Sequence, residues 1–198
     1  MAELVLASGS RARAAMLAQA GVDVECDPAD VDESVVKRSC RANGVSVEAT
    51  AEALAELKAR SVARRHPGRP VLGADQMLEC DGVWLDKPGD REQARAQLRT
   101  LRGRTHRLIS AAVVVRDDRR VWHHVDGARL TVRPFSDRFL EDYLDAAGDG
   151  VLQSVGAYHL EGLGAQLFER VEGDFFTILG LPLLPVLGHL RTQRILGE

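Results

Sequence analysis

The chain has 198 residues, of which 45% are hydrophobic, and its formal net charge is -3. This length suits one medium-sized domain, or two closely packed lobes, with a buried core. The slightly acidic balance argues against a general nucleic-acid binder, so local basic groups must meet any anionic ligand. No apolar run approaches the length of a membrane span and no signal peptide is recognisable, so we expect no membrane partner.

Strand-like and helix-like segments alternate along the chain, which predicts a mixed α/β fold. The predicted strands cover residues 4–7, 22–25, 71–75, 108–115 and 120–132, with hairpin turns at Asp81-Gly82 and Asp117-Asp118. The predicted helices cover residues 11–20, 47–65, 90–101, 136–146 and 182–195. We expect loops over the polar residues 27–43, and strand and loop over residues 155–171.

The cysteine and histidine content narrows the cellular setting. Cys26, Cys40 and Cys80 are three in number and widely spaced, which does not suggest a disulfide framework. A reducing compartment fits best, so we expect a cytoplasmic protein. His123 and His124 are adjacent on a predicted strand and should point to opposite faces, so no zinc site is expected.

The segment from Leu4 to Arg13 begins as an apolar strand, passes through Ser8-Gly9-Ser10 and continues as a helix. Such a segment forms an anion site, because loop N–H groups and the helix dipole face the ligand. Arg11 and Arg13 fall in the first helical turn, where a cation opposes the dipole unless an anion is bound. A plain Ser N-cap with solvated arginines is the alternative, and this segment alone does not decide between them.

Lys58 continues the apolar stripe of the predicted helix 47–65 at the helical steps of three and four. The other members of the stripe are Val47, Ala51, Leu54 and Val62. Because a buried ammonium without a partner is costly, Lys58 is expected to have a partner and a functional role. In the alternative, its stem packs while its head reaches solvent.

Two further candidates are Asp75 and Lys87. Asp75 ends a predicted strand, at the sheet edge where open α/β sheets bind ligands. An Asx-turn or cap residue is the alternative. Pro88 holds Lys87 in extended geometry and so sets the direction of its side chain, although this motif by itself favours an ordinary exposed lysine in a turn.

Acidic residues complete the set of candidates. Asp32-Glu33 could supply oxygen ligands to Mg²⁺ or Mn²⁺, or could be a solvated pair. Glu161 lies in a glycine-rich segment, where it could accept hydrogen bonds from an amide or amino group of a ligand. A turn-rich loop is the alternative for that segment.

These segments occur in the order found in the Maf family of nucleotide pyrophosphatases, which the chain resembles over nearly its whole length. The matching motifs are Leu6-Ala7-Ser8-x-Ser10-x-x-Arg13, Asp32-Glu33, Leu57-Lys58-Ala59, Gly73-Ala74-Asp75 with Lys87-Pro88, Gly103-x-x-His106 and Gly180-Leu181-Pro182-Leu183. The resemblance implies a Maf- or Ham1-like α/β fold, an elongated mixed sheet with flanking helices. It further implies one domain over residues 1–198, with two lobes around a deep cleft and a lobe boundary that the sequence does not locate.

The same resemblance implies hydrolysis of a nucleoside triphosphate to the monophosphate and pyrophosphate with a divalent cation, Mg²⁺ or Mn²⁺. The residues concerned are Ser8, Ser10, Arg13, Glu33, Lys58, Asp75 and Lys87. The serines and the arginine would hold the triphosphate at the helix N-terminus, and the lysines would neutralise phosphate charge. The two carboxylates would bind the metal, or orient and deprotonate the attacking water; the sequence does not separate these roles for Asp75. A homodimer is compatible with the resemblance.

Three positions bear on the choice of base. Many family members have Thr after the catalytic Asp and Gln in the later loop, and those members prefer dTTP and UTP. Here the residues are Gln76 and Glu161, which resemble the branch acting on 7-methyl-GTP, so we expect a guanine-type substrate. Ala12 stands where that branch commonly has a bulky residue, and should leave room beside the base. The alternatives are the same reaction on dTTP or UTP, and a nucleotide-binding regulator of cell division with little turnover.

Overall fold

The computed structural model describes residues 3–197, which form a mixed α/β fold as predicted. The strands are β1 (Leu4–Leu6), β2 (Val24–Cys26), β3 (Val71–Cys80), β4 (Val83–Leu85), β5 (Thr105–Arg116), β6 (Arg119–Val132) and β7 (Phe168–Glu172). The helices are α1 (Arg11–Gln19), α2 (Glu33–Ala42), α3 (Val47–Ala63), α4 (Arg91–Leu101), α5 (Asp137–Ala147), α6 (Phe175–Ile178) and α7 (Leu183–Thr192). Among residues 3–197, no helix is long and apolar enough to cross a membrane.

The sheet formed by the described residues has seven strands in the order β2-β1-β3-β5-β6-β7, with β4 paired to β3. The pairs β1–β2 and β1–β3 are parallel. The pairs β3–β4 and β6–β7 are antiparallel. Parallel and antiparallel pairing therefore coexist, as the prediction of a mixed sheet requires.

Local sequence signals account for most element ends. Asp117 and Asp118 both have positive φ, 49° and 61°, which is the geometry of a two-residue hairpin turn. Asp81-Gly82 makes the second predicted turn, between β3 and β4, with φ of 50° and 79°. Each predicted long helix except the last has a side-chain N-cap, because the oxygen accepts a backbone N–H of the first turn. These caps are Ser10, Ser46, Asp90 and Ser136.

The prediction of loops over residues 27–43 was wrong in part, because α2 lies within this segment. The Asp32 carboxylate accepts hydrogen bonds from the N–H groups of Ser34 and Val35, at 3.1 and 3.2 Å, and so caps the helix. None of the helix residues is buried. Its half-buried residues, Glu33, Val36, Lys37 and Cys40, recur at helical spacing, but two of the four are charged. This face is therefore not an apolar stripe, which is why hydrophobic periodicity did not reveal the helix.

The chain divides into two compact units, each built from separate stretches of sequence. Within the described residues, unit 1 comprises 3–76, 109–126 and 175–197, and unit 2 comprises 77–108 and 127–174. In unit 1, a core of aliphatic side chains joins β1, β3 and β5 to α1 and α7. Its fully buried members include Leu6, Leu17, Leu72, Ala112 and Leu190. This core packs the elements β1, β3 and α1, which carry or flank candidate site residues of unit 1.

Unit 2 contains the predicted motif residue His106, whose position indicates a structural role. Its Nε2 lies 2.7 Å from the hydroxyl of Tyr158, and both rings pack against Phe168. Burial lowers the pKa of His106 to about 4, so the imidazole is neutral at physiological pH. In the same unit, Arg95 joins α4 to α5 through two hydrogen bonds to the Glu141 carboxylate, of 2.5 and 2.8 Å.

Candidate active site

Asp75 lies within β3 and not at its end, because the strand continues from Val71 to Cys80. This corrects the expectation of a strand that stops at Asp75. The parallel partner β1 pairs with β3 at Val5–Val71 and Leu6–Leu72. Since β1 ends at Leu6, Asp75 lies beyond the parallel pairing, at the edge where β1 opens into the Ser8 loop. The carboxylate therefore lies in the region predicted for ligand binding. It lies there because the parallel pairing with β1 ends before Asp75, and not because β3 itself ends there.

Gly73 brings the helix α3 against this strand. A Cβ at Gly73 would lie 2.1 Å from the carbonyl oxygen of Ala55 and 2.8 Å from the backbone nitrogen of Ala59, so only glycine permits this approach. Lys58 lies on this helix between these two contact residues. The glycine of the Gly73-Ala74-Asp75 motif thus explains how the helix reaches the strand that carries the carboxylate.

Lys58 bridges two carboxylates. Its Nζ is 2.6 Å from Asp75 Oδ1 and 2.7 Å from Glu33 Oε1. The Lys58 and Asp75 side chains are 11% and 4% exposed, whereas that of Glu33 is 41% exposed. The ammonium thus has the partners that its burial requires, and solvent reaches the cluster from the side of Glu33.

Burial raises the pKa of the Asp75 carboxyl, and the nearby charge of Glu33 acts in the same direction. The charges of Lys58 and Arg13 oppose this rise in pKa. Asp75 Oδ2 is buried and has no hydrogen-bond partner among the described residues. Oδ1 is held by Lys58, whereas Oδ2 is an acceptor that is still available. Such an oxygen can accept a proton, a hydrogen bond from water or a cation.

The predicted anion loop is present between β1 and α1. The Ser8 hydroxyl accepts a hydrogen bond from the N–H of Ser10, and the Ser10 hydroxyl accepts one from the N–H of Arg13. Ala12 is half-buried in the first turn of α1, and Arg11 is exposed. No acidic residue lies in this turn, so the positive end of the helix dipole has no internal counter-charge there.

Arg13 is buried, and most of its donors are used within the protein. Its Nε donates to the carbonyl oxygen of Gly180 at 2.8 Å. Its Nη1 donates to the carbonyl oxygen of Ala74 at 2.9 Å and to the Ser8 hydroxyl at 3.1 Å. Arg13 therefore connects the loop of Ser8 to the peptide that precedes Asp75. Its Nη2 is the guanidinium nitrogen with no acceptor among the described residues.

Gln76 is similarly engaged with the protein. Its Nε2 lies 2.9 to 3.1 Å from three acceptors, the carbonyl oxygens of Thr177 and Ile178 and the Ser110 hydroxyl, among which its two hydrogens are shared. Its Oε1 has no hydrogen bond within residues 3–197, so any direct contact with a ligand would use Gln76 as an acceptor. The amide donors instead hold the short helix α6 against β3.

Lys87 and Glu161, the remaining predicted site residues, belong to unit 2. Lys87 is exposed and follows β4, while Pro88 after it is buried. Glu161 is exposed, and its Oε1 lies 3.8 Å from His159 Nδ1. The structure gathers the other candidates in unit 1: Ser8, Ser10, Ala12, Arg13, Glu33, Lys58, Asp75 and Gln76.

Sequence reasoning missed several residues that support the site. Ser110 and Thr177 both accept hydrogen bonds from Gln76. They are also bonded to each other, since the Ser110 hydroxyl donates to the Thr177 carbonyl oxygen at 2.8 Å. The Thr177 hydroxyl in turn donates to Asp126 Oδ2 at 2.8 Å. The Gly180-Leu181-Pro182 motif was the available signal, because it marks the closing segment whose carbonyl oxygens Arg13 and Gln76 bind.

The donor set of this cluster fits a divalent cation that is shared with a substrate. Within residues 3–197, no group of three or more His, Cys, Asp or Glu side chains could hold a metal by itself. Glu33 and Asp75 offer two carboxylates, and the buried Asp75 Oδ2 has no hydrogen-bond partner within the described part of the chain. Mg²⁺ is usually held in this way, by one or two carboxylates with phosphate oxygens and water as the other ligands.

Comparison with known proteins decides the family. The model of the Maf-like protein family matches residues 3–193. The chain belongs to the Maf family. Its relatives in this family include a nucleoside triphosphate pyrophosphatase of Paramagnetospirillum magneticum, which is 63% identical over 187 residues, 94% of this chain and 96% of the relative. A nucleoside triphosphate pyrophosphatase of Granulibacter bethesdensis is 53% identical over 98% of both chains. A 7-methyl-GTP pyrophosphatase of Mesorhizobium japonicum is 52% identical over 96% of both.

Proposed function

We propose that this Maf protein is a hydrolase that cleaves a nucleoside triphosphate into the nucleoside monophosphate and pyrophosphate. The observation that carries the proposal is the buried cluster in which Lys58 bridges Glu33 and Asp75, beside an anion loop. The names of the relatives support the same reaction. A protein that only bound nucleotides would need no carboxylate with an unoccupied oxygen at the phosphate site, which favours turnover over a purely regulatory role.

In the proposed mechanism, the loop of Ser8 and Ser10 receives the triphosphate through its N–H groups and hydroxyls. Asp75 orients a water molecule and accepts its proton as the water oxygen attacks the α-phosphorus. The bond from the α-phosphorus to the bridging oxygen breaks, and pyrophosphate leaves. Lys58 and Lys87 offset the negative charge that develops on the phosphate oxygens.

Glu33 and Asp75 would hold the divalent cation. When bound, it would neutralise charge on the triphosphate and on the pyrophosphate leaving group. Glu33 is the more exposed of the two carboxylates, and its contact with the Lys58 ammonium holds it on the side of Asp75.

Removal of divalent cations is expected to stop pyrophosphate release. The physical reason is that the two carboxylates add to the negative charge of the triphosphate, so a cation is needed to offset both. Within residues 3–197, no third acidic, histidine or cysteine side chain completes a metal site that could work without the substrate. The measurement is pyrophosphate release in excess chelator, followed by addition of Mg²⁺ or Mn²⁺. Unchanged release in the chelator would remove the cation from the reaction.

Arg11 and Arg13 are expected to respond differently to replacement by Gln. Arg11 is exposed and has no ion pair among the described residues, so we propose that it binds a phosphate directly. Arg11→Gln should raise KM by about threefold to fivefold and leave the melting temperature unchanged, because an exposed ion pair contributes about 1 kcal/mol or less. Arg13→Gln should lower both kcat and the melting temperature, because three internal hydrogen bonds depend on its guanidinium.

The exposed Arg64→Gln is a matched control for this pair, since Arg64 lies at the C-terminal end of α3 and should change neither quantity. Equal kinetic effects of Arg11→Gln and Arg13→Gln, with equal melting temperatures, would contradict this division of roles.

We further propose that guanine-type triphosphates, such as 7-methyl-GTP, are better substrates than dTTP or UTP. Glu161 and Gln76 Oε1 are both acceptors, which suits the N1–H and amino group of guanine, and Ala12 leaves room beside the base. The 7-methyl-GTP pyrophosphatase relative supports this preference.

The free cysteines of this chain, Cys26, Cys40 and Cys80, fit a reducing compartment. From this we infer a cytoplasmic location.

A panel of nucleoside triphosphates, assayed for pyrophosphate release, tests both the reaction and the base preference. Glu161→Gln should lower kcat/KM for guanine-type substrates by about tenfold and change it little for UTP, since a charged acceptor contributes about 1.5–3 kcal/mol. The exposed Glu169→Gln serves as control. A wild-type preference for UTP or dTTP would refute the base assignment alone, whereas absence of pyrophosphate release from every nucleotide would refute the reaction.

A further inference from the structure

Unit 1 contains a cavity of about 420 Å³ at the end of the sheet opposite Asp75. Its lining includes Glu3 and Pro70, the residues that precede β1 and β3, whereas the candidate active site lies where β1 ends. Pro70 and Asp75 are five positions apart on an extended strand, which corresponds to roughly 16 Å. The cavity is therefore a separate site, and its volume falls in the range of roughly 300–1,000 Å³ that is usual for small-molecule pockets.

The walls of this cavity are largely apolar. Val114 of β5, Val121 of β6 and Ile195 after α7 contribute aliphatic side chains. Val121 is 48% exposed although it lies on a strand. These three aliphatic side chains, one of them exposed, favour a ligand with an apolar body, because its binding would remove this surface from water.

His189 supplies a polar ring to the lining of the cavity. The residue is 8% exposed and lines the cavity, and its ring nitrogens have no hydrogen bond within residues 3–197. Trp122 fixes the ring, because the two rings stack with centroids 5.0 Å apart. Burial lowers the pKa of His189, so the neutral ring offers one donor and one acceptor to a ligand.

Arg116 supplies a positive charge to the lining of the cavity. It lines the cavity at the C-terminal end of β5, and it has no ion pair or hydrogen bond among the described residues. Arg69, the other guanidinium of the lining, already bonds to Glu25 at 2.7 Å. Glu3 also lines the cavity and would repel a second negative charge, so a singly charged anion fits better than a dianion.

We propose that this cavity is a second binding site, specific for a small amphipathic monoanion. The ligand places an apolar body between Val114, Val121 and Ile195 and its anionic group on Arg116, with His189 as a further hydrogen-bonding partner. This site is independent of the proposed pyrophosphatase reaction.

Fluorescence titration with two matched probes tests the proposal. Anilinonaphthalene sulfonate has an aromatic body with one sulfonate, and phenylnaphthylamine has nearly the same body without the charge. We expect saturable binding of one sulfonate probe per chain, which a nonhydrolysable triphosphate does not displace. Arg116→Gln should weaken binding of the sulfonate probe about tenfold and leave binding of the neutral probe unchanged.

Val121→Trp should abolish binding of both probes, because the indole would fill the cavity from an exposed position that tolerates a large side chain. Arg119→Gln, which alters an exposed arginine outside the lining, should leave both affinities unchanged. Near-ultraviolet circular dichroism of each variant verifies that it is folded. Displacement by the triphosphate, or equal binding of the sulfonate probe to the wild type, Arg116→Gln and folded Val121→Trp, would overturn the proposal.

Discussion

Asp75→Asn is expected to lower turnover by about 100- to 10,000-fold, the usual loss when a general base is removed. The amide keeps the shape of the carboxyl group, so Oδ1 can still accept the 2.6 Å hydrogen bond from Lys58. The variant loses the basicity and the charge, and an NH₂ group would replace the buried Oδ2, which has no hydrogen-bond partner among residues 3–197 of the wild type. Pyrophosphate release under single-turnover conditions measures the effect on the chemical step.

Substrate affinity should persist in the same variant, because the loop of Ser8 and Ser10 is unaffected. Calorimetric titration with a nonhydrolysable triphosphate would show this directly. Asp32→Asn is the matched control: it removes one carboxylate next to Glu33, and Asn caps a helix about as well as Asp. Turnover of Asp75→Asn near that of this control would eliminate Asp75 from the reaction.

Lys58→Met is expected to lower turnover by about 100- to 1,000-fold, the scale observed when one preorganised donor to a developing charge is lost. Methionine keeps an apolar stem on the face of α3 that packs against Gly73, so the chain should still fold. The variant also removes the ammonium that holds Glu33 and Asp75 together. Without that charge the pKa of Asp75 should rise further, since burial already raises it.

The double variant Lys58→Met with Asp75→Asn separates stability from catalysis. Lys58→Met alone should lower the melting temperature, because it leaves a buried carboxylate without its cation. The added Asp75→Asn should restore part of this loss, while turnover stays at the level of the poorer single variant. Arg60→Met, on the same helix, is the control, because its ion-pair partners Glu56 and Asp118 lie outside the candidate site. Lys58→Met with wild-type turnover would show that the lysine has a structural role only.

The local elements of this protein follow from short stretches of its sequence. Examples are the Ser and Asp N-caps, the Asp117-Asp118 turn and the stripe that contains Lys58. Each depends on residues that are close together in the sequence, so each can be recognised without the tertiary structure. The family resemblance adds the reaction class, because the motifs occur in the same succession. The helix α2 escaped prediction because its half-buried face includes charged residues and none of its residues is fully buried.

The partners of the site residues depended on tertiary structure. Arg13 donates to Gly180, 167 positions away, and Gln76 donates to Ile178, 102 positions away. Both resemble ligand-binding residues in the sequence, whereas in the folded chain their donors satisfy buried backbone carbonyl groups. Lys58 lies beside Asp75 because Gly73 admits the backbone of α3. Local sequence can specify which residues share a helix face, but only packing decides which distant backbone atoms need a donor.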